Sequence, residues 1–257
     1  MKSNIEKLEL IGLSVCPWTE KARWALDHHI LSYQYQEHTV LLGTPALCFK
    51  MRRFRGGVTV PALIAQEDKY WRRIADSFEI ARYADGIGHK KKLFPLTLGG
   101  EVAHFNDLSE AGCDDGRAIF MHRMAVDKGA QMASIPENTP HFLRHVMAAA
   151  VPLGLAYINS GFSIKARNPE QRHTSLQQTL LEIRRCLKKS AGPYLLGEFT
   201  YADIAIASML QVIDPHKDSL LAKNQALLPC WQNKVLADEF ADLLEWRDAL
   251  YRDHRGT

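Results

Sequence analysis

Val58 to Asp85 reads VTVPALIAQEDKYWRRIADSFEIARYAD, and this stretch decides the fold. Its opening, Val58 to Ala65, is apolar and rich in β-formers, which predicts a strand. Pro61 interrupts it, and proline has no N–H to give to a sheet ladder. Either the proline sits on an edge strand without a role, or the Val60-Pro61 bond is cis. In the second case the Val60 N–H and C=O turn outward and can bind an extended peptide as an added strand. Gln66 to Lys69 reads as a polar turn and Tyr70 to Ile74 as a short second strand. Asp76 stands three residues before Glu79, the spacing of a helix start. Ile80, Ala81, Tyr83 and Ala84 then carry that helix to Asp85.

Upstream, Lys7 to Leu13 predicts a strand with Leu8 and Leu10 on one face. Pro17 opens a helix, where its missing N–H costs nothing, and the pattern of Trp18, Ala22, Ala25 and Leu26 runs to about His29. Ser32 to Val40 alternates Tyr33 and Tyr35 as a second strand. Gly43 to Arg55 is irregular, with room for a short helix, and Gly56-Gly57 breaks the chain. The order is βαβ-(α)-ββα over residues 1–86. A linker follows over 87–100, with a solvated lysine run at Lys90 to Lys92, and an all-α domain over 101–257. Helical patterns fall at about 101–130, 140–160, 169–190, 201–213 and 233–252. Thr200 and Asp203 form a capping box, with Phe199 and Ile204 at the staple positions around it. The fold class is α+β in two domains.

The chain has 257 residues, 46% hydrophobic and 24% charged, the mix of an ordinary globular protein. With 32 basic and 29 acidic side chains the net charge is +3, too small an excess to point to nucleic acid. The longest apolar run, Val146 to Ile158, contains Pro152 and Gly154 and is shorter than the roughly 20 residues a bilayer span needs. Glu6 and Glu9 interrupt the start where a signal peptide needs apolar residues. The expectation is a cytoplasmic protein with no membrane segment. The five cysteines, Cys16, Cys48, Cys113, Cys186 and Cys230, are odd in number and widely spaced, which speaks against disulfides and a cysteine zinc site. His141 and His145 lie at i, i+4, but Phe142 breaks the zinc-protease pattern, so no metal is expected. Cys113 is followed by Asp114 and Asp115, which disfavour a thiolate.

Three features of the first domain belong together. Cys16 stands just before a helix, where open N–H groups and the positive dipole end favour a thiolate. That position predicts a thiol pKa below the free value of about 8.5. Val60-Pro61 offers a backbone strand edge. Asp76-Ser77 opens a helix whose N–H groups, with the Ser hydroxyl, can hold a carboxylate, while Asp76 can pair with an ammonium group. As plain structure, Cys16 is a quiet buried residue and Asp76 a cap. As a site, the three features fit a ligand with an amino-acid head, a peptide backbone and a thiol, and glutathione is that molecule.

VCPWTEKARWALDHHILSYQYQ at 15–36, VTVPALI at 58–64 and RRIADSFEIARYAD at 72–85 resemble the thioredoxin-like domain of cytosolic glutathione transferases. PYLLGEFTYADIAIASML at 193–210 is similar to the capping box and core helix of their helical domain. The resemblance implies the glutathione transferase fold, with glutathione as co-substrate, no metal, and a homodimer. It implies that Cys16 is the reactive group, that Val60 binds the cysteinyl part through its backbone with Pro61 cis, and that Asp76 and Ser77 bind the γ-glutamyl end. A Cys followed by Pro and an aromatic is similar to the omega-like, cysteine-type members, whose chemistry is thiol transfer through a mixed disulfide. Thr19 stands where two-cysteine redox members have their second Cys. Where the family often has Asn-Pro-x-Gly-Lys, this chain has RFRGGVT at 53–59, so Lys50, Arg52 and Arg53 stay open as cations for the glycyl carboxylate. The second substrate is an electrophile or a disulfide, with Phe105, Phe120 and Met124 as candidate wall or core residues. Conventional conjugation, with Cys16 or Ser14 only hydrogen-bonding the sulfur, and a fold-retaining interaction protein without turnover remain as alternatives.

Overall fold

The computed structural model describes residues 5–40, 42–55, 57–135, 139–161, 168–190, 192–225 and 227–255, with backbone alone over 157–161. Gly56, read above as part of a chain break, lies outside the described residues. Four strands form one sheet in the order β2-β1-β3-β4: β1 (Ile5–Gly12), β2 (Gln34–Glu37), β3 (Ala62–Glu67) and β4 (Tyr70–Ala75). β1 runs parallel to β2 and antiparallel to β3, and β4 is antiparallel to β3. Around the sheet lie α1 (Pro17–His28), α2 (Thr44–Met51) and α3 (Ser77–Ile87). Pro17 is in the first turn of α1, as its sequence position predicts, with Cys16 as the extended N-cap.

The predicted strand over Val58 to Ala65 begins only at Ala62. Pro61 cannot donate to the ladder, so pairing starts with the next residue, Ala62 against Ile11 and Ala75. Val60-Pro61 is cis.

The helical part consists of α4 (Gly99–Val126), α5 (Lys128–Ala133), α6 (His141–Gly161), α7 (Pro169–Lys189), α8 (Tyr201–Met209), the short α9 (Leu220–Lys223) and α10 (Leu228–Trp231), α11 (Lys234–Glu239) and α12 (Ala241–His254). Two of the predicted helices are split. The first ends at Asp127, whose carboxylate accepts the Ala130 N–H at 3.0 Å and so starts α5. The last breaks at Phe240, which leaves helical geometry (φ −111°, ψ 32°) with its ring wholly buried and the Arg184 guanidinium 4.3 Å from its centroid. No helix among the described residues is long and apolar enough to cross a membrane.

All nine residues of α8 are buried. Ala202, Ile206 and Met209 join the core of the helical part, while Tyr201, Ile204, Ala205 and Ala207 join the core shared with the sheet, α1 and α3. A helix buried on every side needs its first N–H groups satisfied by protein. The capping box does this: the Asp203 carboxylate, wholly buried, accepts the N–H of Thr200 at 2.9 Å, the Thr200 hydroxyl at 3.2 Å and the N–H of Leu195 at 2.9 Å. Phe199 and Ile204 pack in one cluster around it. On α4, Gly112 and Gly116 let that helix come close. A Cβ on Gly116 would stand 2.3 Å from Val212 Cβ, and one on Gly112 would stand 2.7 Å from the Met209 sulfur.

Thr200→Ala should destabilise folding by about 1 kcal/mol, the usual scale of a lost cap. Asp203→Ala should cost more, about 1–3 kcal/mol, because it leaves buried N–H groups unpaired; urea midpoints check both. Gly116→Ala should cost about 1–3 kcal/mol by overpacking, with the far-ultraviolet circular dichroism unchanged.

Candidate functional site

Register brings three segments to one end of the sheet. β1 ends at Gly12 and runs through Leu13 to Cys16 and the start of α1. Ala62, the first residue of β3, lies opposite Ile11, so Val60-Pro61 falls beside the end of β1. Ala75, the last residue of β4, pairs with Ala62, so Asp76-Ser77 falls beside Pro61 on the other side. The register thus brings the segments that carry Cys16, Val60-Pro61 and Asp76-Ser77, far apart in the chain, to one end of the sheet.

The loop that carries Cys16 is tied down on both sides. The Leu13 N–H donates to the Thr19 hydroxyl at 3.1 Å. Gly12 permits this, because a Cβ there would lie 2.4 Å from Thr19 Cγ2. Ser14 donates its N–H (2.9 Å) and its hydroxyl (3.1 Å) to Glu37, which also accepts the Tyr35 phenol at 2.7 Å. The Cys16 N–H closes a turn on the Leu13 carbonyl at 3.1 Å.

The Cys16 sulfur meets opposing influences. Burial pushes the thiol up from its ordinary value. The N–H and hydroxyl of Thr19, the N–H of Trp18 and the charge of Arg117 pull it down, and burial prevails. The lowered pKa expected from the helix start is therefore corrected. The helix-end donors are there, but Cys16 is half-buried, and the loss of solvation disfavours the thiolate more than those donors favour it. Cys113 is likewise pushed up, to about 12, mainly by its own complete burial rather than by the aspartates that follow it. All five cysteines are free.

Val60 precedes the ladder, and its half-buried side chain packs with Ile11, Leu47, Met51, Ala62 and Ile64. Pro61 is buried. Asp76 caps α3, its Oδ1 accepting from Phe78 N–H at 2.8 Å and Glu79 N–H at 3.2 Å. Its backbone holds φ at 80°, a region that costs a non-glycine residue about 1–3 kcal/mol and that clusters at functional sites. The Ser77 hydroxyl is buried and faces the buried Tyr201 phenol, so towards solvent this position offers the helix N-terminus and not its hydroxyl.

Of the three cations left open, Lys50 is engaged by Glu9 and Gln36 and lines a small cleft of about 80 Å³ with Ile11, Glu37, Thr39 and Gly43. Arg52 takes a left-handed backbone (φ 52°) that ends α2, and Arg53 is exposed. Phe105, Phe120 and Met124 are core residues of the helical part. Among the described residues no group of three or more His, Cys, Asp and Glu could hold a metal ion.

Sequence reading missed the wall opposite Cys16, which α4 supplies. Glu110 accepts the Trp18 indole N–H at 2.5 Å and the buried Lys21 ammonium at 2.7 Å. Arg117 stacks over the Trp18 ring at 4.9 Å and donates to Asp114 at 2.6 Å. Glu110, Asp114 and Arg117 recur at helical spacing, which was the available signal. That they meet α1 depends on tertiary packing.

Two family models match the chain: the N-terminal domain of glutathione S-transferase over residues 15–87 and its C-terminal domain over 157–238. Solved structures share the fold. The beta-etherase LigF of a Sphingobium species is 14% identical with a TM-score of 0.61, covering 97% of this chain and 96% of that one. A glutathione S-transferase domain-containing protein from Marinobacter aquaeolei is 17% identical with a TM-score of 0.59, over 97% and 100%. A glutathione S-transferase from Methylobacillus flagellatus, with glutathione bound, is 16% identical with a TM-score of 0.57, over 97% and 96%. No curated protein matches the chain.

Cys16 should titrate above the free-thiol value of about 8.5. Its alkylation rate followed against pH, resolved by peptide mass from the other four cysteines, checks this; a midpoint below that value would place the sulfur in better-solvated surroundings.

Proposed function

Because the chain belongs to the glutathione S-transferase family, we propose that it is a glutathione-dependent transferase with Cys16 as its reactive group. The observation that supports this most is the register that gathers Cys16, Val60-Pro61 and Asp76-Ser77 at one end of the sheet. In this reading the Val60 backbone pairs with the cysteinyl part of glutathione. Asp76 and the first N–H groups of α3 receive the γ-glutamyl end. The sulfur of glutathione then lies against Cys16. A homodimer in the cytosol is part of the same reading, and the exposed Phe49, Phe54 and Trp71 are consistent with a partner surface.

In thiol transfer, the Cys16 sulfur attacks the glutathionyl sulfur of a mixed disulfide. The sulfur–sulfur bond breaks, Cys16 becomes glutathionylated, and the other half leaves as a thiol carrying the Cys16 proton. A second glutathione then takes the glutathionyl group, leaving as glutathione disulfide and returning a proton to Cys16. Thr19 offers no second thiol to resolve the intermediate within the loop. The N–H groups of Trp18 and Thr19 that point at the sulfur favour the anion this requires.

The raised thiol favours a second reading. A protonated Cys16 can donate its S–H to the thiolate of glutathione and leave glutathione itself to attack an electrophile.

Cys16→Ser separates the two. Thiol transfer from a glutathione mixed disulfide should fall by more than 100-fold, since serine forms no disulfide. If conjugation to an electrophile persists or rises in the same variant, Cys16 acts only as a hydrogen-bond donor. Peptide mass after treatment with glutathione disulfide should show the Cys16 peptide glutathionylated in the parent, a modification the variant lacks.

A further inference from the structure

Arg117 lies on α4 one turn beyond Cys113 and two beyond Glu110, on the side that meets the first turn of α1. Its guanidinium carbon stands 4.9 Å from the centroid of Trp18, and its Nη2 donates to the Asp114 carboxylate at 2.6 Å. Trp18 is itself anchored, because its indole N–H is held by Glu110, whose other oxygen holds the buried Lys21. The guanidinium is thus fixed by a ring beneath it and an ion pair beside it, with only 18% of the side chain exposed. Trp18 is two residues from Cys16.

We propose that Arg117 is a positioning residue for the reacting sulfur: clamped between Trp18 and Asp114, it sets a fixed positive charge beside Cys16 and stabilises a sulfur anion formed there. This rests on the reading of Cys16 as the reactive group. A cation held in a poorly solvated cleft acts on a neighbouring charge more strongly than one in water, and needs no reorganisation when the charge forms.

The other ionisable groups around this sulfur are largely committed elsewhere. On α1, Glu20 pairs with Arg23 and Arg255, and Lys21 pairs with Glu110. From β2, Tyr35 donates to Glu37, which also takes Ser14. Asp76 at the start of α3 caps that helix, and Arg172 on α7 pairs with Asp115 at 2.8 Å. Cys113 is a buried neutral thiol. The charge of Arg117 favours the Cys16 thiolate. Asp114, one turn back on the same helix, is the partner of Arg117.

The test follows Cys16 alkylation by iodoacetamide against pH in the full chain carrying Arg117→Gln or Arg117→Lys, read by peptide mass. Arg117→Gln should raise the midpoint by about one pH unit, a tenfold loss of thiolate at fixed pH. Arg117→Lys should raise it less, since an ammonium keeps the charge but stacks less well on the indole. A shift that Lys limits and Gln does not is not what a loosened helix produces. An unchanged profile in Arg117→Gln, or an Arg117→Lys shift as large as that of Arg117→Gln, overturns the proposal. If Arg117→Gln fails to fold by circular dichroism, Arg117→Met takes its place as the neutral variant, an upward shift larger than that of Arg117→Lys supporting the proposal and any other result overturning it. Full thiol transfer by Cys16→Ser would remove the reading of Cys16 as the reactive group while leaving the Arg117 shift intact, so the two failures are distinguishable.

Discussion

The fold depends on one helix that has no solvent face. α8 lies between two cores, and its N-terminal amides would be buried orphans without the Asp203 carboxylate. An unpaired buried N–H costs as much as several ordinary contacts gain, so a single acidic side chain decides whether a helix this apolar can enter the interior. Once it has, its two faces are shared between the sheet with α1 and α3 on one side and α4 with α7 on the other. The glycines of α4 serve the same packing by allowing close approach at Met209 and Val212.

That packing also fixes the site. The sheet supplies one side of it, through strand ends that register brings together. α4 supplies the other, through Glu110, Asp114 and Arg117 against Trp18 and Lys21. Lys21 has no exposed side-chain surface, and an ammonium group is held there only with a carboxylate beside it. The Lys21–Glu110 pair is thus both a joint between α1 and α4 and a brace behind the turn that carries Cys16.

The sulfur at the centre is poised between burial, which favours the thiol, and a set of donors that favours the thiolate. The helix start provides the N–H groups of Trp18 and Thr19, and α4 provides a guanidinium. None of these overcomes desolvation in the protein alone.

Much of this was legible in the sequence, because it rests on local rules. Pro17 after Cys16, the proline in an apolar segment at Val60-Pro61, the Asp76 cap and the Thr200–Asp203 box each follow from which backbone groups a residue can donate or accept. The extent of β3 and the breaks at Asp127 and Phe240 were not legible, since ladder pairing and burial set them. Nor was the inward turn of the Ser77 hydroxyl towards Tyr201, a contact across more than a hundred residues. The direction of the Cys16 shift was misread for the same reason: a helix N-terminus is visible in sequence, whereas the burial that outweighs it is set by tertiary packing. By itself the sequence determined the elements and the residues at their ends. Tertiary structure decided the solvation and the field those residues experience, because both are set by whatever distant chain packs against them.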